Sequence, residues 1–369
     1  MLKILCRIIL FSFICCLVLL SPVKVVRAVT YPPKDLKIAF IGDTTITQRF
    51  RNILRLVQDE NTDILIISGD FDYNVPANPK LYEQIISEEL GENFPVFVAK
   101  GNHDVFWDEN CQTETGCYKE IFFSRYLRYE DLYINKSQND PNGTTYSVEY
   151  KGVKFIFAGL DGVGKNSNDD EDRTYSQSVY EPFFEYELEY NSNLWTFCGW
   201  HQTQHVLQLG GKGNEMEWNL YEMCRESGAI VANAHEHSYH RTKSLVNFSG
   251  TEVDSWYSDM DMDEQSDIRL FNGSTFSFIS GIGGSWIRQQ KRCLDFLGET
   301  CDIWASKYTY EDTVEGEEVG NGVLFFELNV SDPRKGRGYF KIVEGELIDE
   351  FDIYNEVQVI SGWRGIYGK

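Results

Sequence analysis

Residues 96–104 read VFVAKGNHD, so a short apolar run is followed at once by the polar sequence Gly101-Asn102-His103-Asp104. A short apolar run that ends near glycine is typical of a buried strand. Four further short apolar runs are followed in the same way by carboxylate, phenol or imidazole side chains. The five pairs are Leu36–Ile41 with Gly42-Asp43, Ile64–Ser68 with Gly69-Asp70-Phe71-Asp72-Tyr73, 96–100 with Gly101-Asn102-His103-Asp104, 194–198 with Gly199-Trp200-His201, and 229–233 with His235-Glu236-His237. Open α/β sheets bind ligands at the carboxyl ends of their strands, so we expect these groups to converge at one sheet edge.

Helical periodicity follows the first two strands. Apolar residues recur at helical spacing in residues 50–57 and again in residues 81–90. The resulting order of strand, helix, strand, helix and strand predicts a parallel sheet at the core of the fold. Further helices are predicted at residues 179–190 and 216–226, each before a strand.

The rest of the chain is richer in strands. Tyr146–Tyr150 and residues 153–160 alternate around Lys151-Gly152, which predicts a hairpin. Later runs read as strands joined by Gly, Asp and Pro turns, without a strong helix between them. These runs are residues 276–280, 323–330, 338–343 and 347–354. We expect the later strands to form a second sheet packed on the first, which gives an α/β fold with a two-sheet αββα sandwich.

The N-terminal segment is typical of a secretory signal. Lys3 and Arg7 precede an almost wholly apolar stretch at residues 8–20, and Val26-Arg27-Ala28 is a plausible cleavage site. That stretch is shorter than the ~20 residues of a membrane span, although an uncleaved anchor reaching Val26 is the alternative. We predict a signal peptide at residues 1–28, one domain at residues 29–369, secretion, and no stable membrane association.

Charge narrows the choice of partners. The formal net charge is −23, and it becomes −27 without residues 1–28, which contain four basic residues and no acidic one. Such a surface repels nucleic acid and anionic membranes, so we expect neither as a partner. It also repels phosphate esters unless bound cations supply a local positive charge.

Cysteines and sequons agree with an oxidising compartment. Six cysteines remain after residue 28, and an even number in a secreted chain suggests disulfides. Close spacing favours Cys111–Cys117 and Cys293–Cys301 and leaves Cys198 and Cys224 to pair, although six cysteines allow fifteen pairings. N-glycosylation sequons start at Asn135, Asn142, Asn247, Asn272 and Asn329.

The strand-end groups are suited to holding two metal ions. Two ions ~3.5–4 Å apart polarise phosphoryl oxygens and make hydroxide available near neutral pH. A carboxylate has to bridge them, with hard oxygen and imidazole ligands on each side. A phenol gives up its proton readily only to a strongly Lewis-acidic ion, so Tyr73 favours Fe(III). The candidate ligands are Asp43, Asp70, Tyr73, Asn102, His201, His235 and His237.

This ordered set, over residues 37–241, resembles the calcineurin-like metallophosphoesterases and is most similar to their purple acid phosphatase branch. Tyr73, and the lack of a histidine two residues after Asp43, carry the similarity to that branch. The resemblance implies a two-sheet α/β sandwich that hydrolyses small phosphate esters by attack of metal-bound hydroxide. It also implies two ions, Fe(III) held by Asp43, Tyr73 and His237, and a divalent ion (Zn, Fe or Mn) held by a second set. That second set is Asn102, His201 and His235.

The resemblance further implies that Asp70 bridges the ions. His103 is then the group that stabilises the transition state or protonates the leaving alcohol, and Asp104 orients it. The chain departs from the family pattern at Thr45, where glycine is usual, and around His201.

Three functions are compatible with these observations. The first is a secreted phosphomonoesterase similar to acid phosphatases. The second is a phosphodiesterase or nucleotide pyrophosphatase on the same dimetal site, and the third is a non-catalytic protein that binds metal or phosphate. Trp286 and Arg288 are interpreted as packing residues rather than as a binding platform.

Overall fold

A computed structural model describes residues 28–74, 76–105, 107, 115–159, 175–259, 267–294, 301–313 and 320–359. The predicted signal peptide, apart from Ala28, lies outside the described residues, and so does Cys111. Within the described ranges, no helix combines the length and the apolar character needed to cross a bilayer.

The described residues form seventeen strands and five α-helices. The strands are β1 Leu36–Ile41, β2 Ile64–Ser68, β3 Val96–Ala99, β4 Tyr133–Lys136, β5 Tyr146–Tyr150, β6 Val153–Phe157, β7 Trp195–Gly199, β8 Ile230–Asn233, β9 Tyr239–Thr242, β10 Leu245–Asn247, β11 Glu252–Val253, β12 Ile268–Leu270, β13 Ser277–Ser280, β14 Trp304–Tyr308, β15 Gly322–Leu328, β16 Lys335–Ile342 and β17 Leu347–Asn355. The helices are α1 Gln48–Asp59, α2 Pro79–Leu90, α3 Tyr118–Tyr126, α4 Glu181–Glu189 and α5 Trp218–Ser227.

Two large sheets form the centre of the fold. One has seven strands in the order β12-β17-β16-β15-β1-β2-β3, and the other has eight in the order β14-β9-β13-β8-β7-β6-β5-β4. The predicted parallel core is present, because β1, β2 and β3 are parallel neighbours. In the second sheet, β6, β7, β8 and β13 are parallel. All five residues of β2 are buried, which explains its run of four apolar residues before Ser68.

The sheets pack face to face through aromatic side chains. Phe40 of β1 lies 5.0 Å from Phe197 of β7 and 5.1 Å from Phe278 of β13, measured between ring centroids. Phe326 of β15 lies 5.4 Å from both Phe40 and Phe197. Packing of this kind removes large apolar areas from water, at roughly 25 cal/mol per Å².

Helices cover the outer faces of the sandwich. Helix α1 buries a continuous apolar stripe, which includes Phe50, Ile53 and Val57, and contacts β15. Helix α3 contacts β3, and α5 contacts β8 on the other sheet. The two-sheet α/β sandwich predicted from the sequence is therefore confirmed.

The prediction that the later strands form the second sheet is wrong for three of the four predicted runs. Strand β15 pairs antiparallel with β1, and β16 and β17 extend the same sheet as the first three strands. Strand β13 instead lies in the second sheet, parallel to β8. Alternation of apolar residues identifies a strand but does not say which strand it pairs with. Strand β2 pairs with only one edge of β1, so the other edge is open to a later strand.

Disulfides join the predicted cysteines where both are described. Cys198 of β7 is bonded to Cys224 of α5, and Cys293 is bonded to Cys301. Cys117 is also disulfide-bonded. The first of these bonds fastens an outer helix to the strand that precedes His201.

Candidate dimetal centre

The strand-end motifs meet at one end of the sandwich, although they come from both sheets rather than from the single sheet edge expected. Asp43 and Asp70 follow β1 and β2, and His201 and His235 follow β7 and β8. The main-chain N–H of His235 donates to Asp43 Oδ2 at 2.7 Å, so a loop of one sheet is tied to a carboxylate of the other. The two sheets together therefore build the site.

Four side chains form a first group of donors around the phenol of Tyr73. The phenol oxygen lies 2.7 Å from Asp43 Oδ1, 3.0 Å from Asp70 Oδ2 and 3.0 Å from His237 Nε2. His237 Nε2 also lies 3.1 Å from Asp43 Oδ1. Two carboxylates, a phenol and an imidazole thus point their donor atoms at one small volume.

Two imidazoles form a second group on the other side of Asp70. His201 Nε2 lies 3.1 Å from Asp70 Oδ2 and 3.1 Å from His235 Nδ1. Ligand atoms of these three buried residues all lie within 4.8 Å of one another. Because Asp70 Oδ2 belongs to both groups, this carboxylate lies where a bridging ligand is needed.

Each imidazole is held by its other nitrogen. His201 Nδ1 donates to the carbonyl oxygen of Ser68 at 2.6 Å, and His237 Nδ1 donates to that of Trp286 at 2.9 Å. His235 Nε2 lies 2.6 Å from Glu215 Oε2. Such contacts fix the orientation and tautomer of a histidine, and they are typical of metal ligands.

The backbone of the site is held in an unfavourable conformation. Asp43, Asp70 and His235 have φ angles of 51°, 55° and 70°, in the left-handed region that non-glycine residues rarely adopt. Gly101 packs so closely on Asp70 that a Cβ there would lie 2.2 Å from Asp70 Oδ1. Strain of this kind costs roughly 1–3 kcal/mol for each residue and clusters at functional sites.

The carboxylates of Asp43 and Asp70 are held as anions. Burial opposes ionisation of Asp43, but His237 and His201 outweigh it and keep the pKa of Asp43 well below its usual range. Burial likewise opposes protonation of His201, but the charges of Asp70 and Asp43 outweigh it and raise the pKa of His201 to about 9. For Tyr73, burial and the same two carboxylates raise the pKa well above that of a free phenol.

This donor set fits cations. Buried carboxylates that need positive charge, imidazoles oriented from behind, and a phenol between two carboxylates are the groups that bind Lewis-acidic ions. An ion held by these residues would take the place of the protons on Tyr73 and His201. The chemistry of the side chains therefore agrees with the metal centre implied by the sequence.

The residues of the Gly101-Asn102-His103-Asp104 loop differ in how they contact the cluster. Asn102 and His103 are exposed, and no hydrogen bond joins the Asn102 side chain to the cluster within the described chain. The backbone N–H of His103 donates to Asp70 Oδ1 at 2.8 Å, and its ring centroid lies 4.7 Å from that of Tyr73.

Asp104 lies beneath this loop and is buried. Its carboxylate accepts main-chain N–H groups of Asp70, Phe71 and Gly101 at 2.9, 2.8 and 2.7 Å. These bonds join the loops after β2 and β3, so the carboxylate fixes the backbone that carries Asp70. The bonds of Asp104 do not go to the His103 ring.

Sequence reasoning missed Glu215 and Lys212 beside the site, and it interpreted Arg288 as a packing residue. Glu215 holds His235, and Lys212 Nζ donates to the carbonyl oxygen of His235. Arg288 NH1 lies 3.3 Å from that same oxygen. Lys212 lies in Gly210-Gly211-Lys212-Gly213, and a glycine-rich stretch around a lysine is a signal that could have drawn attention to it.

Trp286, interpreted from the sequence as a packing residue, is 54% exposed. Its ring centroid lies 4.8 Å from that of His237 and 5.5 Å from that of Tyr73. The indole is therefore at the mouth of the site.

Comparison with known proteins agrees with this geometry. The family model of calcineurin-like phosphoesterases matches residues 36–239, which is more than half of the chain. The chain belongs to the calcineurin-like phosphoesterase family, as the resemblance implied. No curated protein matches the sequence significantly.

Several solved structures have a similar fold. A purple acid phosphatase, PPD1, from seeds of yellow lupin (Lupinus luteus) has 15% sequence identity and a TM-score of 0.55, over 88% of this chain and 55% of that one. GAP50, described as the anchor in the inner membrane complex of Plasmodium, has 12% identity and a TM-score of 0.52, over 88% of this chain and 91% of its own. PhoD has 12% identity and a TM-score of 0.50, over 87% and 69%. The chain thus spans about half the length of the lupin protein, and at these identities the similarity concerns the fold.

Proposed function

We propose that this protein is a secreted binuclear metallohydrolase that hydrolyses phosphomonoesters. The single observation that carries the proposal is the position of Asp70 Oδ2, which lies 3.0 Å from the Tyr73 phenol oxygen and 3.1 Å from His201 Nε2. One carboxylate oxygen therefore serves two adjacent groups of donors. Adjacent sites that share a carboxylate are the arrangement that two-metal hydrolysis requires.

The ligands are divided between the two groups of donors. Asp43, Tyr73 and His237 would hold Fe(III), with Asp70 shared between the sites. Asn102, His201 and His235 would hold a divalent ion (Zn, Fe or Mn). When bound, the ions supply Lewis acidity toward the phosphoryl oxygens and make water a nucleophile near neutral pH.

The protein itself supplies positioning and proton transfer. His103 is exposed beside the Tyr73 ring, where an imidazole can reach the alcohol that leaves the phosphoryl group. Asp104 acts by holding the loops of Asp70 and His103 together through its three main-chain hydrogen bonds. We therefore assign a catalytic role to His103 and a positioning role to Asp104.

Positive charge at the mouth supports an anionic substrate. The chain has a net charge of −23, yet Lys212 and Arg288 both direct their cationic groups at the carbonyl oxygen of His235. The carboxylates of Asp43, Glu236 and Glu215 also interact with Lys212, and Glu236 Oε2 lies 3.7 Å from Arg288 NH1. These two cations can attract a phosphate group into a site whose surroundings repel it.

The proposal is tested by the rate of hydrolysis with and without bound ions. The purified mature chain should hydrolyse phenyl phosphate, lose that activity after treatment with a chelator, and regain it when iron and zinc or manganese are returned. Rates on phenyl phosphate and bis-phenyl phosphate under identical conditions separate a monoesterase from the diesterase alternative. A protein with two bound ions and no chelator-sensitive hydrolysis would overturn the enzymatic proposal.

A non-catalytic protein that binds metal or phosphate is the second candidate. The exposure of Asn102 favours it, because this predicted ligand forms no hydrogen bond to the cluster within the described chain. The fold also occurs in GAP50, which is described as an anchor. The same chelator experiment decides between the two candidates.

A further inference from the structure

Trp286 combines a fixed backbone with an exposed side chain. Its carbonyl oxygen accepts the Nδ1 proton of His237 at 2.9 Å. The next residue but one, Arg288, donates its main-chain N–H to the carbonyl oxygen of His237 at 2.8 Å. On the other side, Ser285 donates its N–H to the carbonyl oxygen of Asp43 at 3.0 Å and accepts the Asn321 amide at 2.8 Å. This backbone is thus tied at both ends to the loops that carry candidate metal ligands.

The indole ring itself is only partly packed. It contacts the rings of His237 and Tyr73, with centroids 4.8 and 5.5 Å away, and more than half of the residue surface remains in water. Single exposed apolar residues are common and need no explanation. This one differs because its ring contacts two candidate ligands and its backbone is held in place, so it is pre-organised to receive a partner beside the site.

We infer that Trp286 is a specificity-determining residue that stacks on a planar ring in the leaving group of the substrate. The inference rests on the proposed function and refines it, because it names the substrate class as phosphate esters whose leaving group carries an aromatic ring. With the phosphoryl group at the Asp70 cluster, the leaving group has to extend toward the mouth, where the exposed indole lies. Stacking of the leaving-group ring on the indole should favour such substrates about ten-fold.

Hydrolysis of two matched substrates by the metal-loaded protein tests this inference. For Trp286→Ala, the loss in kcat/KM should be about ten-fold greater on phenyl phosphate than on ethyl phosphate, as expected for loss of one stacking contact. The difference in leaving-group reactivity cancels, because each substrate is compared between variant and wild type. Trp286→Phe keeps a ring and should restore most of the selectivity.

A remote exposed aromatic residue provides the control. Tyr133 is 59% exposed and lies on β4, the edge strand of the second sheet, so Tyr133→Ala should leave both rates unchanged. Equal losses on the two substrates, or no loss, in Trp286→Ala would overturn the stacking role and leave the hydrolase proposal intact.

Binding separates failure of the inference from failure of the proposed function. Phenylphosphonate and ethylphosphonate keep the anionic head but have no ester bond, so their affinities can be measured by calorimetry even for a protein that does not turn over. Wild type should bind phenylphosphonate about ten-fold more tightly than ethylphosphonate, and Trp286→Ala should lose this preference. Equal affinities of wild type for both phosphonates would refute the inference whether or not the protein is an enzyme.

Discussion

Glu215 Oε2 lies 2.6 Å from Nε2 of His235, and on the other side of the same ring Nδ1 lies 3.1 Å from His201 Nε2. The ring is therefore held between a carboxylate and the rest of the second donor group. Only 19% of the Glu215 side chain and 7% of the His235 side chain are exposed, so water competes weakly for this contact. A carboxylate behind an imidazole selects the tautomer whose opposite nitrogen is free to bind a cation.

Removal of this carboxylate should weaken the divalent site. Glu215→Ala should reduce affinity for the divalent ion by roughly 10–100-fold, the usual effect of losing such a partner. Glu215→Gln should lose less, because its amide oxygen can still accept the Nε2 proton. The metal affinity of both variants can be measured without an activity assay, by elemental analysis after dialysis against increasing concentrations of a chelator. Glu226→Gln is the matched control, because the Glu226 side chain is 70% exposed. If Glu215→Ala lost no more metal than this control, the role of Glu215 would be contradicted.

The close contact between Gly101 and Asp70 leads to a prediction about the shared carboxylate. A methyl group at residue 101 would lie 2.2 Å from Asp70 Oδ1 and 2.4 Å from the Asp70 nitrogen, and such distances are not tolerated. Gly101→Ala should therefore displace the carboxylate and reduce the content of both metals. Gly213→Ala introduces the same methyl group where no atom lies within 4 Å, so it should keep both ions. Full metal content in Gly101→Ala, measured on folded protein, would show that Asp70 does not bridge.

The sequence predicts the strand-end motifs because each depends on local information. The apolar runs before Asp43, Asp70 and Gly101 are long enough to identify buried strands, and polar residues right after them have to lie at strand ends. The pairing of β15 with β1 could not be predicted in this way, because the partner lies almost the whole chain length away. Pairing between distant strands is decided by tertiary packing.

Glu215 and Trp286 show the same limit at the site. Both lie in loops outside the strand-end motifs, and nothing in their own sequence distinguishes them from surface residues. Each acquires its position from a contact with a histidine, His235 for one and His237 for the other. A residue that acts through such a contact is visible only once the loops are placed in space.

Tyr73 makes a prediction about metal identity. Its phenol oxygen lies within 3.0 Å of both carboxylates and His237, and without a cation its pKa is raised well above the usual value, by burial and then by Asp43 and Asp70. A strongly Lewis-acidic ion is therefore needed to take its proton. If that ion is Fe(III), the protein should show a visible tyrosinate–iron charge-transfer band that Tyr73→Phe abolishes. Tyr133→Phe should keep the band. A wild-type protein that has manganese or zinc in both positions and lacks iron would contradict the assignment.

Substitution of His103 and substitution of Asp70 should have different effects on metal content and turnover. His103 is exposed and its ring lies 4.7 Å from that of Tyr73, while its hydrogen bond to Asp70 Oδ1 comes from the main-chain N–H, which alanine can still donate. His103→Ala should therefore keep both metals while turnover falls by roughly 10²–10⁴-fold, the usual range for loss of a general acid. Asp70→Ala removes the oxygen shared by the two groups of donors, so it should lose metal and activity together. Metal content and kcat measured on the same preparations test this difference, and equal metal loss in the two variants would contradict the division of roles between the two residues.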